Sequence, residues 1–120
     1  MTKYSTELNV KFQALADPTR RTVLEKLSLG PATVSQLAEP FKMALPSFLQ
    51  HLKVLEQSKL VRSYKTGRVR TFELQVDELR QAQHWLKAQE QLWERRLDQL
   101  DNYLITLAQE EKNHDTERPL

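Results

Sequence analysis

Residues 33–74, TVSQLAEPFKMALPSFLQHLKVLEQSKLVRSYKTGRVRTFEL, contain two short amphipathic stretches followed by two strand-like runs around a glycine, and their reading decides the fold. Thr33 precedes Gln36 by three positions, the capping-box spacing in which each side chain satisfies a backbone N–H of the other at a helix start. Val34, Leu37 and Ala38 supply a short apolar stripe, and Pro40 ends the helix. A connector of about four residues leads to Pro46, which suits the first turn of a second helix because no backbone donor is required there.

In that second helix Leu45, Leu49, Leu52 and Leu55 recur at spacings of 4, 3 and 3, which predicts a buried face. The opposite face carries Ser47, Gln50, Lys53 and Gln57, with His51 beside them. Hydroxyl, amide, imidazole and ammonium groups near a helix N-terminus suit base edges and phosphates. LVRSYK and RVRTFEL follow, rich in β-branched and aromatic residues, with Thr66-Gly67 as the expected tight loop of a hairpin. Lys65, Arg68 and Arg70 lie at or next to its tip, where cations can follow a phosphate backbone or enter a minor groove. The order helix, turn, helix, basic hairpin is that of a winged helix-turn-helix, and it predicts a mainly α fold with a small β-hairpin wing that docks on double-stranded DNA.

The stretches DPTRR (17–21), LAEPF (37–41), HLKVLEQSKLV (51–61) and GRVRTFEL (67–74) resemble the ArsR-type winged helix repressors, in particular the branch without metal-binding cysteines. The resemblance spans roughly residues 8–108, with HLKVLEQSKLV its most specific part. It implies a homodimeric bacterial transcription regulator, usually a repressor, that leaves its operator in response to a signal. It also places the first turns of the helix after Asp17 near the DNA. Two positions depart from the family pattern. Ala44 stands where a serine commonly caps the recognition helix, and Leu49 stands where a small hydroxyl residue is often found. The first change weakens the cap, and the second removes a DNA-contacting group.

Composition agrees with this reading. A chain of 120 residues is expected to form one domain, read as a winged helix DNA-binding and dimerisation domain over 1–110 with a flexible tail over 111–120. With no cysteines, disulfides and thiolate chemistry are excluded, which fits a reducing cytoplasm. No apolar run reaches the roughly 18 residues of a membrane span, and the N-terminus MTKYSTELNV lacks the apolar core of a signal peptide, so a cytoplasmic chain with no membrane partner is expected. The net charge of +2 is unevenly spread: +1 over residues 1–41, +5 over 42–75 and −4 over 76–120. Positive charge therefore sits on the proposed reading head.

Upstream, Leu8, Phe12 and Leu15 are spaced for one helix, and Asp17-Pro18 starts another that buries Val23, Leu24 and Leu27 and stops at Gly30-Pro31. For Arg20 and Arg21 two roles stay open, a phosphate contact or pairing with Asp17 or Glu25 on the protein surface. From Asp77 the chain reads as one long helix. Leu79, Leu86, Trp93, Leu97, Leu100, Leu104 and Leu107 recur at steps of 7, 7, 4, 3, 4 and 3, widened by Trp85, Leu92 and Tyr103. Such a seam is too long for a small winged domain to cover, so it predicts a two-fold dimer through this helix and the Leu8–Leu15 helix. Leu8, Phe12, Leu86, Trp93, Leu97, Leu100 and Leu104 are its expected interface residues. The competing expectation packs the whole stripe within one subunit.

No metal site or cofactor is expected. The position where metal-sensing relatives carry a cysteine pair is here Thr33, Val34, Ser35 and Gln36, and His84 and His114 are 30 residues apart without a second histidine at ligand spacing. A glycine-rich phosphate loop, a nucleophile elbow and an HExxH motif are all missing, so an enzyme is not expected. Trp85 and Trp93 are read first as packing residues, with a cavity for an unidentified small-molecule inducer as the alternative. The alternative from another class is a winged-helix module that binds a protein through the same surface.

Overall fold

The computed structural model describes residues 3–117, with side chains described over 5–113. It divides into two units, residues 1–83 and 84–120. The first unit holds helices α1 (Lys3–Leu15), α2 (Pro18–Leu27), α3 (Val34–Ala38) and α4 (Leu45–Gln57). It also holds strands β1 (Ala32–Thr33), β2 (Val61–Thr66) and β3 (Val69–Leu74), and the start of α5 (Val76–Glu117). The second unit holds the distal part of α5.

Local signals account for the starts of α2 and α3. Asp17 caps α2 by accepting the Arg20 N–H at 3.1 Å, and Pro18 follows in the first turn. Thr33 and Gln36 form the expected capping box, with the Thr33 N–H donating to Gln36 Oε1 at 2.9 Å and the Gln36 N–H to Thr33 Oγ1 at 3.3 Å. By contrast Ala44 at the start of α4 provides no side-chain cap. At the other end of α4, Lys59 turns the chain with φ 67°, a left-handed conformation normally given to glycine. The side-chain amide of Gln75 holds this turn by donating to the Lys59 carbonyl at 2.8 Å.

The core joins Ala14, Val23, Leu24, Leu27, Leu37, Phe48, Leu52, Leu55, Leu60, Val61 and Phe72, so the helices of the first unit pack on one face of the sheet. Here the structure corrects the expected face of α4. Leu52 and Leu55 are buried, but Leu45 is 53% and Leu49 43% exposed, and Phe48 takes their place at 1%. Phe48, Leu52 and Leu55 also follow helical spacing, and the Phe48 ring lies 5.3 Å from that of Phe41, tilted by 33°. An aromatic side chain buries more apolar area than a leucine, so this alternative stripe wins.

The sheet has three strands in the order β1-β3-β2, all antiparallel. The hairpin was expected, while β1 was not: Ala32 and Thr33 pair with Phe72 and Thr71. The loop is also shifted by one residue. Thr66 pairs with Val69, so Gly67 and Arg68 form the two-residue turn rather than Thr66 and Gly67. Gly67 takes φ 63° at the first loop position, where glycine has no Cβ to clash.

The α5 helix has 42 residues. Asp77 and Glu78 lie in its first turn, where carboxylates favour the positive end of the helix dipole. In the second unit Leu86, Leu92, Trp93, Leu97, Leu100, Tyr103, Leu104, Ile105 and Leu107 are all exposed in the single chain. Of the expected interface residues, Leu8 is different: it is only 7% exposed and packs within its own chain. Phe12 is half-buried. The side chain of His114 and residues 118–120 of the expected tail lie outside the described residues. No described helix is long and apolar enough to cross a membrane.

Candidate nucleic-acid interface

The α4 helix presents Pro46, Ser47, Gln50, Lys53 and Gln57 to solvent, with the exposed Leu45 and Leu49 among them. This mixture follows from helix geometry: once Phe48, Leu52 and Leu55 turn inward, the positions between them must turn outward. The N-terminal turn of α4, without a side-chain cap, leaves backbone N–H groups available to an external acceptor.

His51 is half-buried and is engaged by α2. Its Nδ1 lies 3.2 Å from Nη1 of Arg20 and 3.7 Å from Oδ2 of Asp17. Burial pushes the Asp17 carboxyl up, but the Arg20 N–H, the charges of His51 and Arg20 and the Thr19 N–H together leave it below its ordinary value.

The Arg20 guanidinium donates from Nε to the Ala14 carbonyl at 2.8 Å and from Nη2 to the Gln13 carbonyl at 3.0 Å. Arg21 does likewise, donating from Nη1 to the Leu15 carbonyl at 2.8 Å. Both arginines therefore serve the carbonyl end of α1, where backbone acceptors have no partners within the helix.

Along the wing Lys65 and Arg70 are directly opposite in the β2–β3 register, both exposed, with Arg68 in the turn beyond them. Arg70 also donates from Nη1 to Ser63 Oγ at 2.7 Å, and Ser63 donates to Glu56 Oε1 of α4 at 2.6 Å. This chain links the base of the wing to α4. Arg62, by contrast, is spent on its cross-strand neighbour Glu73, to which its Nε donates.

Sequence reasoning missed the exposure of Leu45 and Leu49 and the ties of Arg20 and His51. The Phe48-Leu52-Leu55 spacing was available as a signal for the first. Nothing local could announce the second, because Arg20 and His51 are 31 positions apart. Among the described residues, no group of three or more His, Asp or Glu side chains could hold a metal ion.

A short helix, a connector, a second helix with an exposed polar face and a basic hairpin define the class, a winged helix-turn-helix regulator of transcription. Residues 15–64 match the family model of a helix-turn-helix domain. The chain is similar to the transcriptional repressor SdpR of Bacillus subtilis (strain 168), at 32% identity over 79 residues, covering 66% of this chain and 88% of that protein. It is 43% identical over 63 residues to the HTH-type transcriptional regulator Rv2034 of Mycobacterium tuberculosis, covering 52% and 59% of the two chains. The crystal structure of an ArsR family transcriptional regulator matches it with a TM-score of 0.73 and 54% identity, over 78% of this chain and 97% of that one. The chain belongs to the ArsR family, a family of transcription regulators rather than of enzymes.

Proposed function

We propose that this protein is a homodimeric, sequence-specific binder of double-stranded DNA that represses transcription and is released from its operator by a signal. The observation that carries the reading is the wing. Lys65 and Arg70 are like charges directly opposite on adjacent strands, with Arg68 beside them in the turn. Such a pair destabilises a free hairpin, and a polyanion laid along the wing reverses the sign of that contribution.

In this reading Ser47, Gln50 and His51 contact bases and nearby groups, Gln50 being suited to the paired N6 and N7 of adenine. Pro46 sets the start of α4, Lys53 meets phosphate, and Lys65, Arg68 and Arg70 hold the backbone from the wing. In the same reading the exposed Leu45 and Leu49 meet thymine methyl groups. Arg20 leaves the set of direct contacts. Dimerisation uses the exposed seam of α5 with Leu86, Trp93, Leu97, Leu100 and Leu104, assisted by Phe12 of α1. An apolar stripe of this length on a free helix is larger than a monomer ordinarily leaves in water. Residues 1–110 act as the binding and dimerisation domain and 111–120 as a tail, on chromosomal DNA in the cytoplasm. The signal is assigned to an unidentified small molecule or protein.

Fluorescence anisotropy tests the reading, using the duplex upstream of the protein's own gene and a scrambled duplex at two salt concentrations. Preferential, salt-dependent binding to the upstream duplex is the expected result, and Gln50→Ala should then cost about 1–3 kcal/mol and relax preference at one position. Absence of binding at either salt moves the protein-interaction module to first place. Sedimentation that finds only monomer at micromolar concentration removes the dimer.

A further inference from the structure

We infer that Arg20 is a positioning residue for His51, holding the imidazole so that Nε2 carries a proton and offers a hydrogen-bond donor to an acceptor on the DNA. This rests on α4 being the reading helix, as proposed above.

Two of the guanidinium's three nitrogens are anchored on the carbonyl end of α1, Nε on Ala14 and Nη2 on Gln13. Because the group is planar and rigid, those two bonds also set the position of Nη1, which falls 3.2 Å from Nδ1 of His51. An arginine side chain donates and never accepts, so the contact is a hydrogen bond when Nδ1 is the acceptor. A neutral imidazole that accepts at Nδ1 carries its proton on Nε2.

The other group facing the ring is Asp17, whose Oδ2 lies 3.7 Å from the same nitrogen. That is too long for a hydrogen bond. An imidazolium also carries a proton on Nε2. Arg20 Nη1, itself a donor, opposes a proton on Nδ1, so the neutral tautomer with a bare Nε2 is disfavoured, and each remaining form that could pair with DNA offers an N–H at Nε2. A donor at this point of α4 can donate to a purine N7, guanine O6, thymine O4 or a phosphate oxygen, and it finds no acceptor in the amino group of cytosine. The same contact ties the end of α1 to the reading helix.

The first test uses the full-length, nitrogen-15-labelled protein without DNA. A long-range proton–nitrogen correlation reads both ring nitrogens, with His51 assigned by the loss of its signals in His51→Gln. Near neutral pH the expected Nε2 shift is that of a protonated nitrogen. Arg20→Met is expected to move both nitrogens toward the averaged tautomers of a solvated imidazole. A bare Nε2 in the unmodified protein, or ring shifts unchanged by Arg20→Met, overturns the inference. If Arg20→Met fails to fold, Arg20→Lys is read in the same way, because its single ammonium cannot reproduce the three-point anchorage.

The second test uses duplexes selected from a random pool by the unmodified protein. If Arg20 acts through His51, the Arg20→Met, His51→Gln double variant binds no worse than the weaker single variant, and additive losses overturn the coupling. Loss of preference at one position in His51→Gln identifies a base acceptor, while uniform weakening identifies a phosphate. Failure of any duplex to enrich overturns the DNA-binding reading and the acceptor with it, and the ring spectra then decide the Arg20–His51 contact alone.

Discussion

The ammonium of Lys11 lies 3.0 Å from Oε2 of Glu78, with the lysine side chain 1% exposed and the glutamate 28%. The pair joins α1 to the first turn of α5 inside the first unit, and it is asymmetric: the cation is fully desolvated while the carboxylate keeps contact with water. Glu78→Gln removes the charge that compensates Lys11, and it should destabilise the chain by about 1–3 kcal/mol in urea unfolding. Lys11→Met removes the buried charge altogether and should be close to neutral or stabilising. Equal losses in both variants would mean that packing by the lysine stem, rather than charge pairing, carries the contact.

Asp17 caps α2, so Asp17→Ala should cost about 1 kcal/mol and Asp17→Ser much less. Its carboxyl titrates below the ordinary value of 3.8 in the folded chain. A lowered folded pKa adds stability that is fully present above the unfolded value and is lost as pH falls through the folded one. Thermal unfolding between pH 6 and pH 2 should therefore converge for the parent and Asp17→Ser toward the acid end. A constant difference across that range would place the cap's contribution in hydrogen bonding alone.

Lys65→Thr separates stability from binding. It relieves the like-charge pair with Arg70 and places a β-branched residue in the strand, so the free protein should gain a few tenths of a kcal/mol, within the roughly 0.2–1 kcal/mol of a cross-strand pair. Affinity for duplex DNA should fall, and the slope of log affinity against log salt should flatten by about 0.9. A gain in stability with unchanged affinity would take Lys65 out of the interface.

The two ends of α4 predict gains. Ala44→Ser supplies the missing cap and should stabilise the chain by about 1 kcal/mol. Lys59→Gly relieves a left-handed conformation whose cost in a residue with a Cβ is about 1–2 kcal/mol, partly offset by glycine's extra freedom when unfolded. It also gives up the exposed Lys59–Glu7 pair at 3.6 Å, a small loss. Melting temperatures of the two variants and their combination check this, with additive gains expected from separate helix ends.

Much of the first unit was legible because its signals act over three or four residues. The Thr33–Gln36 capping box, the Asp17-Pro18 start of α2 and the strands flanking Gly67 each need only their neighbours. The buried face of α4 was not legible in the same way. Its thirteen residues contain two overlapping stripes, one through Leu45 and Leu49 and one through Phe48, and both satisfy helical spacing. β1 escaped notice because a two-residue strand has no periodicity to read.

What the sequence determined by itself was the order of the helices and the hairpin, the concentration of positive charge between residues 42 and 75 and the apolar seam of α5. These are properties of local spacing and composition, which the chain carries before it folds. Tertiary structure alone decided that Phe48 goes inward while Leu49 stays out, that Lys11 is buried against Glu78, and that Arg20 meets the end of α1 and His51. In each case the deciding partner comes from another element. A side chain with several favourable fates takes the one its distant neighbours leave open, because an unmet carbonyl or a desolvated charge costs more than a local preference.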